Sequence, residues 1–312
     1  MLLALISAAR AASSGKELLA SGRVDDAIQT LQEQIRHSPN DAESQNLLCR
    51  AYFMAGEWDA GIAACERARD LDPQKSLYRL WLGRVYGEKA DHAGLFAGAS
   101  LAKKVRSSFE SAVELDPTNW EARTDLAEFY FEAPPMVGGG KDKAREQADA
   151  LMALNPGMAH WVRGRIAEKN KDIDGAEREY RAEIAATHGG VRACLDFAIF
   201  LRRANRLDEM EIALRPLESA PVDRSESLMD GASLLLRTDR DPALAVRLLR
   251  RYFSTGTVEE GPAFKAHQLL GQLFEKQGDR RSAADEYRAA LALFHAYARA
   301  QEDLKRVDLV QR

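Results

Sequence analysis

The sequence is poor in the residues that build the commoner kinds of site. It has three cysteines in 312 residues, Cys49, Cys65 and Cys194. That is too few for a disulfide scaffold. There is no C-x-x-C pair and the six histidines are scattered, so metal-site spacing is also missing. Aromatic residues are only 7% of the chain, which disfavours a sheet-rich fold. No run approaches the roughly 18–20 apolar residues that span a bilayer. Neither sign of charge dominates: 44 Lys and Arg oppose 48 Asp and Glu, a formal charge of −4, without the basic excess of a nucleic-acid binder. H-E-x-x-H and G-x-S-x-G motifs are absent as well. Gly138-Gly-Gly-Lys141 resembles the end of a phosphate-cradling loop, but Pro135 stands at its first glycine position and Asp142 at its Ser/Thr position. A flexible turn explains it better. The expectation is a chain that is not an enzyme, with no catalytic residues, no metal and no cofactor.

What is present is Ala, Leu, Glu and Arg in abundance, a helix-forming mixture, and a period. Pro39 and Pro73 lie 34 residues apart, and similar segments precede them: Gly22 to Ser38 and Gly56 to Asp72. The shape recurs before Pro117 and Pro156 and again from Gly278 to Leu291. Within a unit, Leu47, Leu48, Ala51 and Tyr52 mark one helix face. A turn at Gly56 follows, and Ile62, Cys65 and Ala68 open a second face that Asp72-Pro73 ends. Two antiparallel helices per unit make a hairpin that must stack on its neighbours to bury its apolar face.

These positions resemble the tetratricopeptide repeat. Its pattern places Leu at repeat position 7, a small residue at 8, Tyr at 11, Ala at 20, an aromatic at 24, Ala at 27 and Pro at 32. In the last unit these fall on Leu270, Gly271, Phe274, Ala283, Tyr287 and Ala290, with His295 in place of Pro; near 42 they fall on Leu48, Cys49, Tyr52, Gly61, Cys65, Ala68 and Pro73. The units near 191 and 226 are degenerate. The resemblance implies an all-α, right-handed superhelical solenoid of about eight hairpins in one domain, at about 8–41, 42–75, 76–119, 120–156, 157–190, 191–224, 226–259 and 264–297, with a capping helix at 298–312. The small residues are read as sites of close approach between helix backbones.

The same resemblance implies a concave groove lined by the first helix of each unit. Its inward positions fall on Asn46, Arg50, Phe53, Arg84, Glu128, Phe131, Trp161, Arg165, Arg202 and Arg203. Arginine forks suit carboxylates and aromatics supply anchoring area, so the expected ligand is a protein or peptide, in particular an acidic segment, with neither nucleic acid nor membrane as partner. The function expected is a protein–protein interaction scaffold; the alternative is an assembly factor docking through two insertions, 87–104 and 132–142. The second insertion looks like a loop of bacterial proteins in this repeat class. Cys49 and Cys65, at positions 8 and 24 of one hairpin, face the same seam and suit either a disulfide or two small packed thiols; position 8 is expected nearer position 20 or 21. Residues 1–11, Met1 to Ala11, read either as the end of a secretory signal or as the start of the first helix, and localisation stays open between export and cytoplasm.

Overall fold

The computed structural model describes residues 14–255 and 261–309; the signal-like stretch 1–11 lies outside them. Among the described residues there are seventeen α-helices and no strand. They pair in chain order as hairpins: α1 (Gly15–Ala20) with α2 (Val24–His37), α3 (Ala42–Ala55) with α4 (Trp58–Leu71), α5 (Ser76–Asp91) with α6 (Leu95–Leu115), and α7 (Trp120–Glu132) with α8 (Lys141–Leu154). Then come α9 (Pro156–Lys169) with α10 (Ile173–Ala186), α11 (Val191–Arg203) with α12 (Leu207–Leu214), α13 (Glu226–Thr238) with α14 (Pro242–Thr255), and α15 (Ala263–Lys276) with α16 (Arg280–Leu293). α17 (Ala298–Leu309) closes the stack. The fold is an all-α superhelical solenoid.

Local chemistry sets these boundaries. Asp41, Asn119, Asn155, Asp172 and Asp279 cap helix starts with side-chain oxygens that accept from backbone N–H groups. Each uninterrupted hairpin has a left-handed residue in its turn: Gly22, Gly56, Lys171, Asn205, Asp239 and Gly278, with Asp241 also at positive φ beside Asp239. Lys171, Asn205 and Asp239 are not glycine, which is why the turn is hard to see in the sequence of the later units.

The insertions take a different form from the loops expected. The first lengthens both helices of its hairpin: α5 runs to Asp91 and α6 spans 21 residues, joined by a tight turn at 92–94. The second is a 3-10 turn at Pro135–Val137 followed by the glycines. It is packed rather than loose. A Cβ on Gly139 would collide with the Ala133 carbonyl oxygen, and Gly140 N–H donates to the Tyr130 carbonyl at 2.8 Å. Gly138 and Gly139 are there for close approach, to Arg106 and to the Ala133 carbonyl.

The seam of each hairpin joins position 8 to position 24. A Cβ on Gly83 would run into the Phe109 ring, one on Gly164 would fall 3.1 Å from Tyr180, and one on Gly271 2.5 Å from Tyr287. The ring at position 24 fills the space that the glycine leaves. In the second hairpin the same two positions hold Cys49 and Cys65, which are bonded to each other with Cα atoms 5.2 Å apart. The expected offset toward position 20 is therefore corrected: Gly61 at position 20 lets α4 close on α3, its added Cβ lying only 3.6 Å from the Cys49 carbonyl oxygen, and Cys65 follows one turn later on the same face.

Eight hairpins bring the superhelix round until its ends meet. The His295 backbone N–H donates to Asp25 at 2.7 Å, and a Cβ on Gly22 would lie 3.1 Å from the Ala263 nitrogen. His295, in place of the usual proline, thus keeps a donor that proline would lack.

The seam generates a test. Gly83→Ala should overpack against Phe109 and cost about 1–3 kcal/mol. Gly87→Ala, four residues on in the same helix with nothing within 4 Å, should gain about 0.5–1 kcal/mol from helix propensity. Chemical denaturation of the two variants checks both signs.

Candidate functional site

The first helices of the hairpins line the concave face, and their side chains enclose a hollow of about 700 Å³ at the third to fifth hairpins. Aromatic walls come from Phe53 on α3, Trp81 on α5, Trp120 and Phe129 on α7, and Trp161 on α9. Carboxylates come from Glu88 and Asp91 on α5 and from Glu121, Asp125, Glu128 and Glu132 on α7. Arg84, Arg192 and Arg224 also border it. Because the superhelix closes, α15 faces α5 across the concavity: burial holds Lys265 below the ordinary lysine range, opposed by the charges of Glu88 and Asp230.

Most of the arginines expected to line the groove are covered by the chain's own groups. Arg84 donates to Asp125 at 2.7 Å and to Glu121 at 3.0 Å, and lies 4.9 Å over the Trp81 ring. Arg50 lies 5.0 Å over the same ring. Arg165 bonds Glu132 at 2.6 Å and covers Phe131; Phe131 is buried and meets Trp161 edge-on at 5.8 Å. Arg203 bonds Glu168 with two nitrogens at 2.7 Å, while Arg202 is exposed and outside the hollow. Asn46 is not on the groove surface at all. It is buried in the stack, and its Nδ2 has no hydrogen-bond partner there. Of the ten inward positions read from the sequence, Phe53, Arg84, Glu128 and Trp161 border the hollow together.

Glu128 stands apart from these pairs. Water in the concavity reaches it, yet protein surrounds it on nearly every side. That burial, with Asp125 close by, pushes its pKa up to about 7, against the opposing charges of Arg192 and Arg165. Asp230 on α13 is raised to about 6 by burial and by Glu226, against Arg192, Lys265 and Arg237. Behind the wall, Glu183 is wholly buried, and burial with the neighbouring Asp196 carboxylate drives its pKa well above the ordinary range. Asp196 itself accepts from Arg192 Nε at 2.6 Å.

Sequence reasoning missed Trp81, Trp120, Arg192 and Arg224. The available signal was scarcity: of four tryptophans in the chain, Trp81, Trp120 and Trp161 stand on three successive first helices. Arg192, on the first helix α11, stands over Trp161 of the neighbouring hairpin, and Arg224 comes from the turn before α13. Among the described residues no group of three His, Cys, Asp or Glu side chains is placed to hold a metal ion, and no helix is long and apolar enough to cross a membrane.

Residues 18–84 and 136–190 match family models described as Tetratricopeptide repeat. The chain contains tetratricopeptide repeats. Among curated proteins, this repeat chain is 29% identical over 161 residues to the type VI secretion system accessory component TagJ of Pseudomonas aeruginosa. The match covers 49% of this chain and 57% of that relative, so little more than half of the relative's length is spanned. Among solved structures it is similar to a thermophilic TPR protein of Thermus thermophilus, with a TM-score of 0.51, 17% identity, and 60% of this chain and 95% of that one covered. It is also similar to yeast Tom70, with a TM-score of 0.55, 14% identity, and 96% and 65% covered. At these identities the structural likeness shows the repeat fold alone.

Glu128 generates a pH prediction. A carboxyl whose folded pKa exceeds its unfolded value holds a proton in the fold that it releases on unfolding. Its stabilising contribution is complete below the unfolded pKa and is lost as pH rises through about 7. Glu128→Gln should therefore raise the melting temperature at about pH 8 and leave it nearly unchanged at about pH 4. Thermal melts across that range check it; a pH-independent difference would contradict the assignment.

Proposed function

We propose that this protein is a non-catalytic interaction scaffold whose concave hollow receives a segment of a partner protein. The observation that carries the reading is the hollow itself, where anchoring aromatics stand beside charged groups on rigid helices. One hydrophobic core running from Leu18 to Ala300 supports treating the eight hairpins, with the boundaries expected from the period, as a single solenoid domain. An acidic segment, the ligand expected from the groove arginines, would have to take Arg84 and Arg165 from Asp125, Glu121 and Glu132.

A second reading is favoured by two exposed side chains. Phe96 and Met136, in the two insertions, are 92% and 83% exposed, and they suit an assembly factor that docks through the inserted edge. The relative TagJ is by name an accessory component of a secretion system, which fits a role in assembling other proteins.

Affinity capture on the wild-type chain, a Phe53→Ala/Trp120→Ala variant and a Phe96→Ala/Met136→Ala variant separates the readings. The hollow reading expects the first double variant to lose the captured protein, since an anchoring aromatic contributes more than about 2 kcal/mol. Loss confined to the second would favour the edge. Full retention by both would contradict a docking role for either surface.

A further inference from the structure

The two insertions meet at one edge of the solenoid and build something that the repeat does not need. The lengthened tip of α5 and α6 and the Pro135–Val137 turn wall a second cleft of about 450 Å³, lined by Ala90, Ala99, Ala102, Val105, Phe129 and Val137. Met136 also borders it, and Phe96 stands on the first turn of α6, whose Gly98 lines it. An uninterrupted hairpin of this chain separates positions 8 and 24 by 16 residues, as in Gly164 and Tyr180; Gly83 and Phe109 are 26 apart, so ten residues are surplus to the seam. The exposed phenyl ring of Phe96 lies within that surplus, where it adds nothing to the repeat core.

This apolar cleft opens into the hollow. Gly87, Asp91, Val105, Phe129 and Glu132 line both. At the junction the charge left uncovered is negative. Arg84 occupies Glu121 and Asp125, and Arg165 with Lys169 occupies Glu132. On the facing wall Arg192 is engaged by Asp196 and Arg224 by Glu226. Asp91 is exposed at the boundary, and Glu128 points into the hollow without a hydrogen-bond donor among the described residues. A cation beside Glu128 would relieve the repulsion from Asp125, whereas another carboxylate would add to it. Trp120 offers a ring face on which a guanidinium or ammonium can rest, as Arg192 already rests over Trp161 at 5.7 Å.

We propose that cleft and hollow form one continuous docking track for a partner-protein segment in which an apolar side chain is neighboured by lysine or arginine. The apolar side chain enters between Phe96 and Met136, and the cation reaches Asp91 and Glu128 beside the tryptophans. This rests on the hollow reading and adds the chemistry of its occupant. It also turns the charge expected of that occupant from acidic to basic.

The test uses the full chain and short peptides from a randomised display library. Enriched peptides are measured by fluorescence anisotropy against the wild type and against Phe96→Ala/Met136→Ala, Asp91→Asn/Glu128→Gln and Phe53→Ala/Trp120→Ala variants. The four residues of the track are solvent-reached, and matched melts confirm that their variants fold. The expected result is enrichment of peptides with Lys or Arg within a helical turn of Leu, Ile, Met or Phe. Each of the first two double variants should weaken these peptides about tenfold or more, and added salt should weaken them further. Enrichment of acidic peptides, or affinities unchanged in both track variants, overturns the proposal. If binding then still falls in the Phe53→Ala/Trp120→Ala variant, the hollow reading stands without it; if no peptide is enriched, both fall.

Discussion

Everything in this structure depends on how closely the two helices of a hairpin cross. The crossing is fixed where repeat position 8 meets position 24, with a glycine receiving an aromatic ring at Gly83 and Phe109, Gly164 and Tyr180, and Gly271 and Tyr287. The same ring then joins the network between hairpins. Tyr180 donates to Glu168, and Tyr287 to Glu275. Arg203 and Arg306, each from a helix of the next layer, grip those same carboxylates. One contact therefore sets both the hairpin and its stacking on the next. Repeated along the chain, that stacking gives the curvature that brings His295 back to Asp25. The disulfide of the second hairpin occupies these same two positions, a covalent version of the contact that the other hairpins make by filling space.

Curvature and local pairing together set the electrostatics of the concave face. Here the walls come near enough for Lys265 on the eighth hairpin to feel Glu88 on the third. Most arginine forks are satisfied from within, at distances typical of charge-assisted hydrogen bonds. The residual feature is a carboxyl at Glu128 that the surrounding protein holds partly neutral. A formal charge of −4 for the whole chain conceals this arrangement, since the balance is struck residue by residue inside the hollow.

The repeat architecture was legible because it is written in a period: Pro39 and Pro73, the seam residues, and cap residues such as Asp41 and Asn119 recur at fixed spacing. What the period does not encode was not legible. The insertion at 87–104 reads as a loop because it breaks the repeat, yet its Ala-rich composition continues both flanking helices. The offset of Cys65 from Cys49 was misjudged because the crossing point depends on Gly61, a detail of packing rather than of sequence spacing. In the hollow, Phe53, Arg84, Glu128 and Trp161 follow from register alone. Arg192 enters from the neighbouring first helix α11, over Trp161, and Asn46 is taken out of the groove by burial between hairpins. Pairing was the least legible property of all, since the carboxylates that neutralise Arg84 lie about one repeat further along the chain, at Glu121 and Asp125.

The central claim is that partners dock on the concave side of this solenoid. Hydrogen–deuterium exchange on the chain, alone and in complex with a partner purified on it, tests that most directly. The account predicts slowed exchange in α5, α7 and the Pro135–Val137 turn, with the second helices α4, α10 and α16 unchanged. Protection confined to those second helices, with α5 and α7 exchanging as in the free chain, would contradict it.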